Sequence, residues 1–78
     1  MSKFQIYYAD EYSKQRTEVV QKILEEEIQS FEIIADWKKV YITTKGTSKM
    51  AIFHNNVYIG YNYGDLVYYL NDQGLMLC

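Results

Sequence analysis

Hydrophobic and polar positions alternate with different periods along the 78 residues, and the periods predict the elements. Residues 3–9, KFQIYYA, are aromatic and apolar enough for a strand with Phe4, Ile6 and Tyr8 on one face. Residues 14–29 carry Val19, Val20, Ile23, Leu24 and Ile28 at helical spacing, with Glu18, Gln21, Lys22, Glu25, Glu26 and Gln29 outside the stripe, which predicts an amphipathic helix. Ser13 is its expected N-cap. FEIIA, 31–35, is a short and nearly unbroken apolar run, as in a parallel strand covered on both faces. In residues 36–46, Asp36 can cap a short helix, whereas Val40, Tyr41, Ile42, Thr43 and Thr44 have strand propensity, and both readings stay open. MAIFHN, 50–55, turns through Asn55-Asn56 into VYIGY, 57–61, as a hairpin. Asp65 is expected to cap a closing helix, LVYYLNDQ, ended by Gly74 in a left-handed conformation.

The order is β-α-β, a short helix or loop, then β-β-α. The right-handed crossover rule makes the first two strands parallel, with helix 14–29 across them. No linker, composition break or repeat divides the chain, so residues 1–78 are expected to form one domain near the lower size limit for a self-sufficient core.

Composition narrows the partners. The chain is 49% hydrophobic and 23% charged, a globular balance, and its net charge of −2 gives no broad attraction to nucleic acid or acidic membranes. No apolar run approaches a membrane span, and MSKFQIYY lacks a signal peptide's apolar region. Cys78 is the single cysteine, so no intrachain disulfide is expected and a reducing cytoplasm is the default location. His54 stands without a second histidine or a cysteine nearby and reads as a strand residue rather than a metal ligand. No pair of carboxylates is spaced for acid–base work, and Gly60-Tyr-Asn-Tyr-Gly64 does not have the spacing of a phosphate loop. Residues with AT-rich codons greatly outnumber Gly, Ala, Arg and Pro, a bias shared by many bacteriophage genomes.

Phe53, Asn55, Asn56, Ile59, Gly60, Asp65, Leu66, Gly74 and Leu75 follow one another as in the second half of the glutaredoxins. Those proteins carry a strand ending in phenylalanine-x-asparagine, an Ile-Gly pair, an Asp-Leu helix start and a Gly-x-Leu close. The Gly60–Asp65 and Asp65–Gly74 spacings are each one residue longer here. In the first half, Val19-Val20-x-x-Ile23-Leu24 stands where the family has A-x-x-L-L. The chain thus resembles a glutaredoxin over nearly its whole length, which implies an α/β thioredoxin-like fold with a mixed sheet of about four strands and flanking helices.

Placed in that register, the family's Cys-Pro-Tyr-Cys falls on Lys14, Gln15, Arg16 and Thr17, and its Thr-Val-Pro on Ser48, Lys49 and Met50. A thiolate at a helix N-terminus and a resolving thiol three residues on are both missing, and without proline the peptide before residue 50 is expected to be trans. The resemblance therefore implies a scaffold without its redox chemistry and without a cofactor. It points to a binding module that contacts another protein through the former active-site edge: Tyr12, Lys14, Gln15, Arg16, Met50, Tyr61, Tyr63 and Asp65. A small phage protein acting on a host target would fit the codon bias.

Nine tyrosines, five of them among residues 58–69, predict that some are core and that part of this cluster is exposed in one patch, which could also bring two copies together. Two other functions stay open. One is a glutathione-linked or thiol-linked oxidoreductase acting through Cys78. The other is binding of a small anion or nucleotide at the start of the first helix, where Lys14, Arg16 and Lys49 would gather.

Overall fold

The computed structural model describes residues 3–76, and Cys78, with any thiol role for it, lies outside them. Its elements are β1 (Phe4–Tyr8), α1 (Glu11–Glu26), β2 (Phe31–Ala35), α2 (Trp37–Thr44), β3 (Met50–His54), β4 (Val57–Gly60) and α3 (Tyr63–Asp72). The sheet order is β2-β1-β3-β4. β1 and β2 run parallel, with Phe4 opposite Phe31 and Tyr8 opposite Ala35. β3 is antiparallel to β1, and β4 closes the hairpin antiparallel to β3. The hairpin turn is Asn55-Asn56, both residues at positive φ (52° and 69°), the left-handed pair of a type I′ turn that asparagine tolerates.

Strand alternation gives the sheet two apolar faces. Phe4, Ile6, Met50 and Ile52 point to one side and meet Val20 and Leu24 of α1 and Leu66 and Leu70 of α3. Tyr7, Ala51 and Phe53 point to the other side and meet Val40 of α2. Each fully buried Leu or Ile contributes roughly 1.5–3 kcal/mol over exposure, so the larger cluster dominates stability. With only eight residues, α2 covers just part of its face. This is why β2, on the edge of the sheet, is not enclosed on both sides as its sequence predicted: Phe31, Ile33 and Ile34 are half-buried and Glu32 and Ala35 exposed.

The first helix starts three residues earlier than expected, and Ser13 is not its cap. Asp10 is: its Oδ1 accepts the Ser13 N–H at 2.8 Å while Ser13 Oγ accepts the Asp10 N–H at 3.0 Å. This is a capping box with serine in the place usually held by glutamate or glutamine. The buried line of α1 is consequently Ser13, Thr17, Val20 and Leu24. Val19, one position off that line, is half exposed, and Ile28 lies beyond the helix altogether.

The helix ends at Glu26, where Gln29 N–H reaches the Leu24 carbonyl (2.9 Å) and Ile28 N–H the Glu25 carbonyl (3.1 Å). This 6→1 and 5→2 closure requires a left-handed residue, and Ile28 supplies it at φ +55°. Of the three successive glutamates, Glu25 and Glu26 are exposed and Glu27 is buried at the cap.

Within residues 36–46, Trp37–Thr44 form a helix. Asp36 Oδ1 accepts the Lys39 N–H (3.1 Å), Thr44 Oγ1 donates back to the Val40 carbonyl (2.8 Å), and Lys45 and Gly46 leave in left-handed conformations. A cap, a terminator and an inward Val40–Thr44 pair one turn apart outweigh the weak strand propensity of VYITT. In α3 the cap is Asn62, whose Oδ1 accepts the Asp65 N–H (2.8 Å), so Asp65 lies inside the first turn rather than at the cap. Gly74, at φ +70°, ends that helix as predicted, with Leu75 N–H on the Leu70 carbonyl (2.8 Å).

Candidate functional site

Where α1 and the β4–α3 connection flank the start of β3, a groove of about 290 Å³ opens, lined by Arg16, Val19, Met50, Tyr61, Asn62 and Tyr63. Met50 is almost wholly buried as part of the larger core cluster, so what the groove meets of it is a fixed, polarizable floor. Arg16 and Val19, three residues apart, share one side of α1. Tyr61 and Tyr63 are exposed at 44% and 60%, and the walls are apolar apart from Arg16 and the Asn62 amide.

The connection that carries the tyrosines is tied down. Asp65 Oδ2 accepts the Tyr61 N–H at 3.1 Å, while Asn62 holds the Asp65 N–H. Gly60 lets this happen: a Cβ there would stand 2.6 Å from Asp65 Oδ2 and 2.7 Å from its Cγ. Asp65 thus braces the connection and is not among the residues that line the groove. Burial, followed by the neighbouring Asp65 carboxylate, raises the Tyr58 phenol above its ordinary range.

Of the eight residues predicted for a partner edge, Arg16, Met50, Tyr61 and Tyr63 line the groove. Tyr12, one turn before Arg16 on the same side of α1, is 82% exposed. Lys14 and Gln15 are exposed but do not line the groove. Val19 and Asn62 complete it and were not singled out from sequence, Val19 because it reads as core and Asn62 because Asp65 reads as the cap.

The expected cluster of cations at the helix start does not form. Lys14 and Arg16 are two positions apart, about 200° around a helix of 3.6 residues per turn, and so face different directions. Lys49 acts on Asp10 instead. The Asp10 carboxyl is held below the usual range by the Ser13 N–H and hydroxyl, with a smaller contribution from Lys49. The positive end of α1 already has its anion, and Glu11 adds a second acid in the first turn.

The five clustered tyrosines also divide. Tyr58 packs on Phe53 (ring centres 5.6 Å), on the α2 side of the sheet. Tyr69 packs on Phe4 (6.2 Å) on the opposite side, and its hydroxyl lies 2.6 Å from His54 Nδ1. The pleat of the strands that hold their partners thus sends Tyr58 and Tyr69 to opposite faces, while part of the cluster, Tyr61, Tyr63 and Tyr68, is exposed as expected. His54 also stacks on Phe4 at 4.2 Å, and burial pulls its imidazole below the ordinary range. Among the described residues no group of three His, Cys, Asp or Glu is placed to hold a metal ion. No helix among them is long and apolar enough to cross a membrane.

The chain matches no protein-family model, no curated protein and no solved structure.

Proposed function

We propose that this protein is a non-catalytic, glutaredoxin-like binding module that contacts another protein through the groove between α1 and the β4–α3 connection. The observation that carries the reading is the groove itself. It joins Arg16, Met50, Tyr61 and Tyr63, four residues picked from sequence, in one apolar recess with a cation and two exposed tyrosines at its rim. Aromatic and arginine side chains over an apolar floor are the composition of interface anchors.

Supporting the family likeness are the order β-α-β-α-β-β-α and the four-stranded mixed sheet. The observed start of α1 also shifts the register of the lost chemistry. A helix-stabilised thiolate with a resolving thiol three residues on would here occupy Asp10 and Ser13, not Lys14 and Thr17. None of the four is a thiol. Asp10 places a carboxylate where a thiolate would sit, and this anion also weighs against an external anion or nucleotide at that helix end.

The test is affinity capture from source-cell lysate, comparing the wild type with an Arg16→Glu/Tyr63→Ser variant and with Lys22→Glu as an exposed control on the same helix. The reading expects one or more proteins held by the wild type and the control and lost from the groove variant. Equal capture by all three would refute it. In the companion assay, turnover of a glutathione mixed disulfide above background, lost in Cys78→Ser, would favour the oxidoreductase instead.

A further inference from the structure

The net charge of −2 conceals a separation of sign. Residues 36–49 hold four lysines against one aspartate, net +3, so the remainder of the chain carries −5. The excess sits on and around α2. Trp37, Lys38, Tyr41 and Ile42 share one face of α2, Lys45 follows at its left-handed cap, and all five are exposed. Ile42 is 74% exposed and Tyr41 62%, and Lys38 Nζ lies 5.8 Å from the Trp37 ring centre. Beside this face is a recess of about 170 Å³ lined by Trp37, Val40, Tyr41, Gly46, Ser48 and Lys49.

The same chain carries a complementary surface. At the end of α1, Glu25 and Glu26 are exposed and no basic residue occupies the last turn. Just past them Ile28 projects with 81% of its surface exposed, fixed in a left-handed conformation by the two terminal hydrogen bonds. This is an apolar knob beside two carboxylates, where α2 offers an aromatic recess beside lysines.

The two surfaces cannot meet within one molecule. α1 packs on the sheet face of Phe4 and Ile6, and its end leads to Phe31, opposite Phe4 at the start of β1. α2 packs on the other face, and both its flanks, Asp36 and Met50, lie at the Tyr8 end.

We propose that a second copy of this chain docks its Glu25–Glu26–Ile28 shoulder on the α2 face, with Ile28 entering the recess between Trp37 and Tyr41 and the two glutamates meeting Lys38 and Lys45. Because donor and acceptor surfaces sit at opposite ends and on opposite faces, the contact is heterologous and extends head to tail instead of closing as a two-fold dimer. It uses a surface separate from the groove, so the two readings succeed or fail independently.

Sedimentation velocity on the full chain from about 10 μM to about 1 mM, the range of weak association, tests it at low and high salt. The expected result is a mass that rises with concentration without a plateau at two copies, and less so at high salt. Ile28→Gly keeps the left-handed position and removes the knob. Lys38→Glu/Lys45→Glu and Glu25→Lys/Glu26→Lys each set like charges against each other. Each of the three is expected to weaken association at least about tenfold. Mixing the two charge-reversed proteins in equal amounts should restore it. A wild type that stays monomeric throughout overturns the proposal and leaves the α2 face to a foreign acidic protein or lipid surface. So does Ile28→Gly assembling like the wild type, or a mixture that fails to recover.

Discussion

At Ile28 the chain leaves α1 through a left-handed turn, a conformation that costs an L-residue roughly 1–2 kcal/mol and that β-branching makes harder still. With its side chain mostly in water, little burial offsets that cost. Ile28→Gly is therefore expected to raise stability by about 1 kcal/mol in urea unfolding, measured under dilute conditions where the monomer dominates. Asp10 is the other residue with a distinct signature. Its carboxyl titrates lower in the fold than in the unfolded chain, so its contribution is fully present above about pH 4. That contribution is lost as pH falls through the lowered folded value. Asp10→Asn keeps a capping oxygen but removes the titration, so its thermal midpoint should fall less steeply than the wild type's between about pH 5 and about pH 2.5.

Elements were legible where period and punctuation agreed, and misread where two signals competed. The hairpin was plain because Asn55-Asn56 is a left-handed turn pair between apolar runs. The end of α3 was plain because Gly74 follows a helical pattern. At the start of α1 the segment ADEYS contains two good capping residues three apart, and reciprocal bonding assigns the cap to the first of them. This moves Lys14 and Arg16 out of the first turn, where the helix dipole acts most strongly. Reversing both charges, Lys14→Glu with Arg16→Glu, should then leave the unfolding free energy nearly unchanged, within about 0.5 kcal/mol as for ordinary surface changes. A clear gain in stability would show that the helix starts at Ser13 after all. The last turn is the true electrostatic weakness of α1, with Glu25 and Glu26 at its negative end and no cation.

For the whole molecule, element order and the parallel first pair followed from the sequence, because crossover handedness and a short hairpin leave few arrangements. What could not be read was the sharing of faces. Tyr58 and Tyr69 are close in sequence but pack on opposite sides of the sheet, and an overall charge of −2 hid a basic α2. The groove was half legible, since Arg16, Met50, Tyr61 and Tyr63 came from the family likeness while Val19 and Asn62 needed the packing of α1 against the β4–α3 connection. That likeness can be challenged by putting chemistry back. Asp10→Cys with Ser13→Cys sets two thiols three residues apart at a helix N-terminus, and is expected to give a reversible disulfide and thiol–disulfide exchange well above that of the wild type. Lys14→Cys with Thr17→Cys, deeper in the helix, should not.

The central claim is that the groove contacts another protein. A photo-crosslinking amino acid placed at position 63, inside the groove, and in separate proteins at position 68, outside it on α3, addresses this in source-cell lysate. Both tyrosines are exposed, so neither replacement disturbs the core. The account predicts a discrete crosslinked foreign protein from position 63 that disappears when Arg16→Glu is added, and none from position 68. The same product from both positions, or no product from position 63, would contradict it.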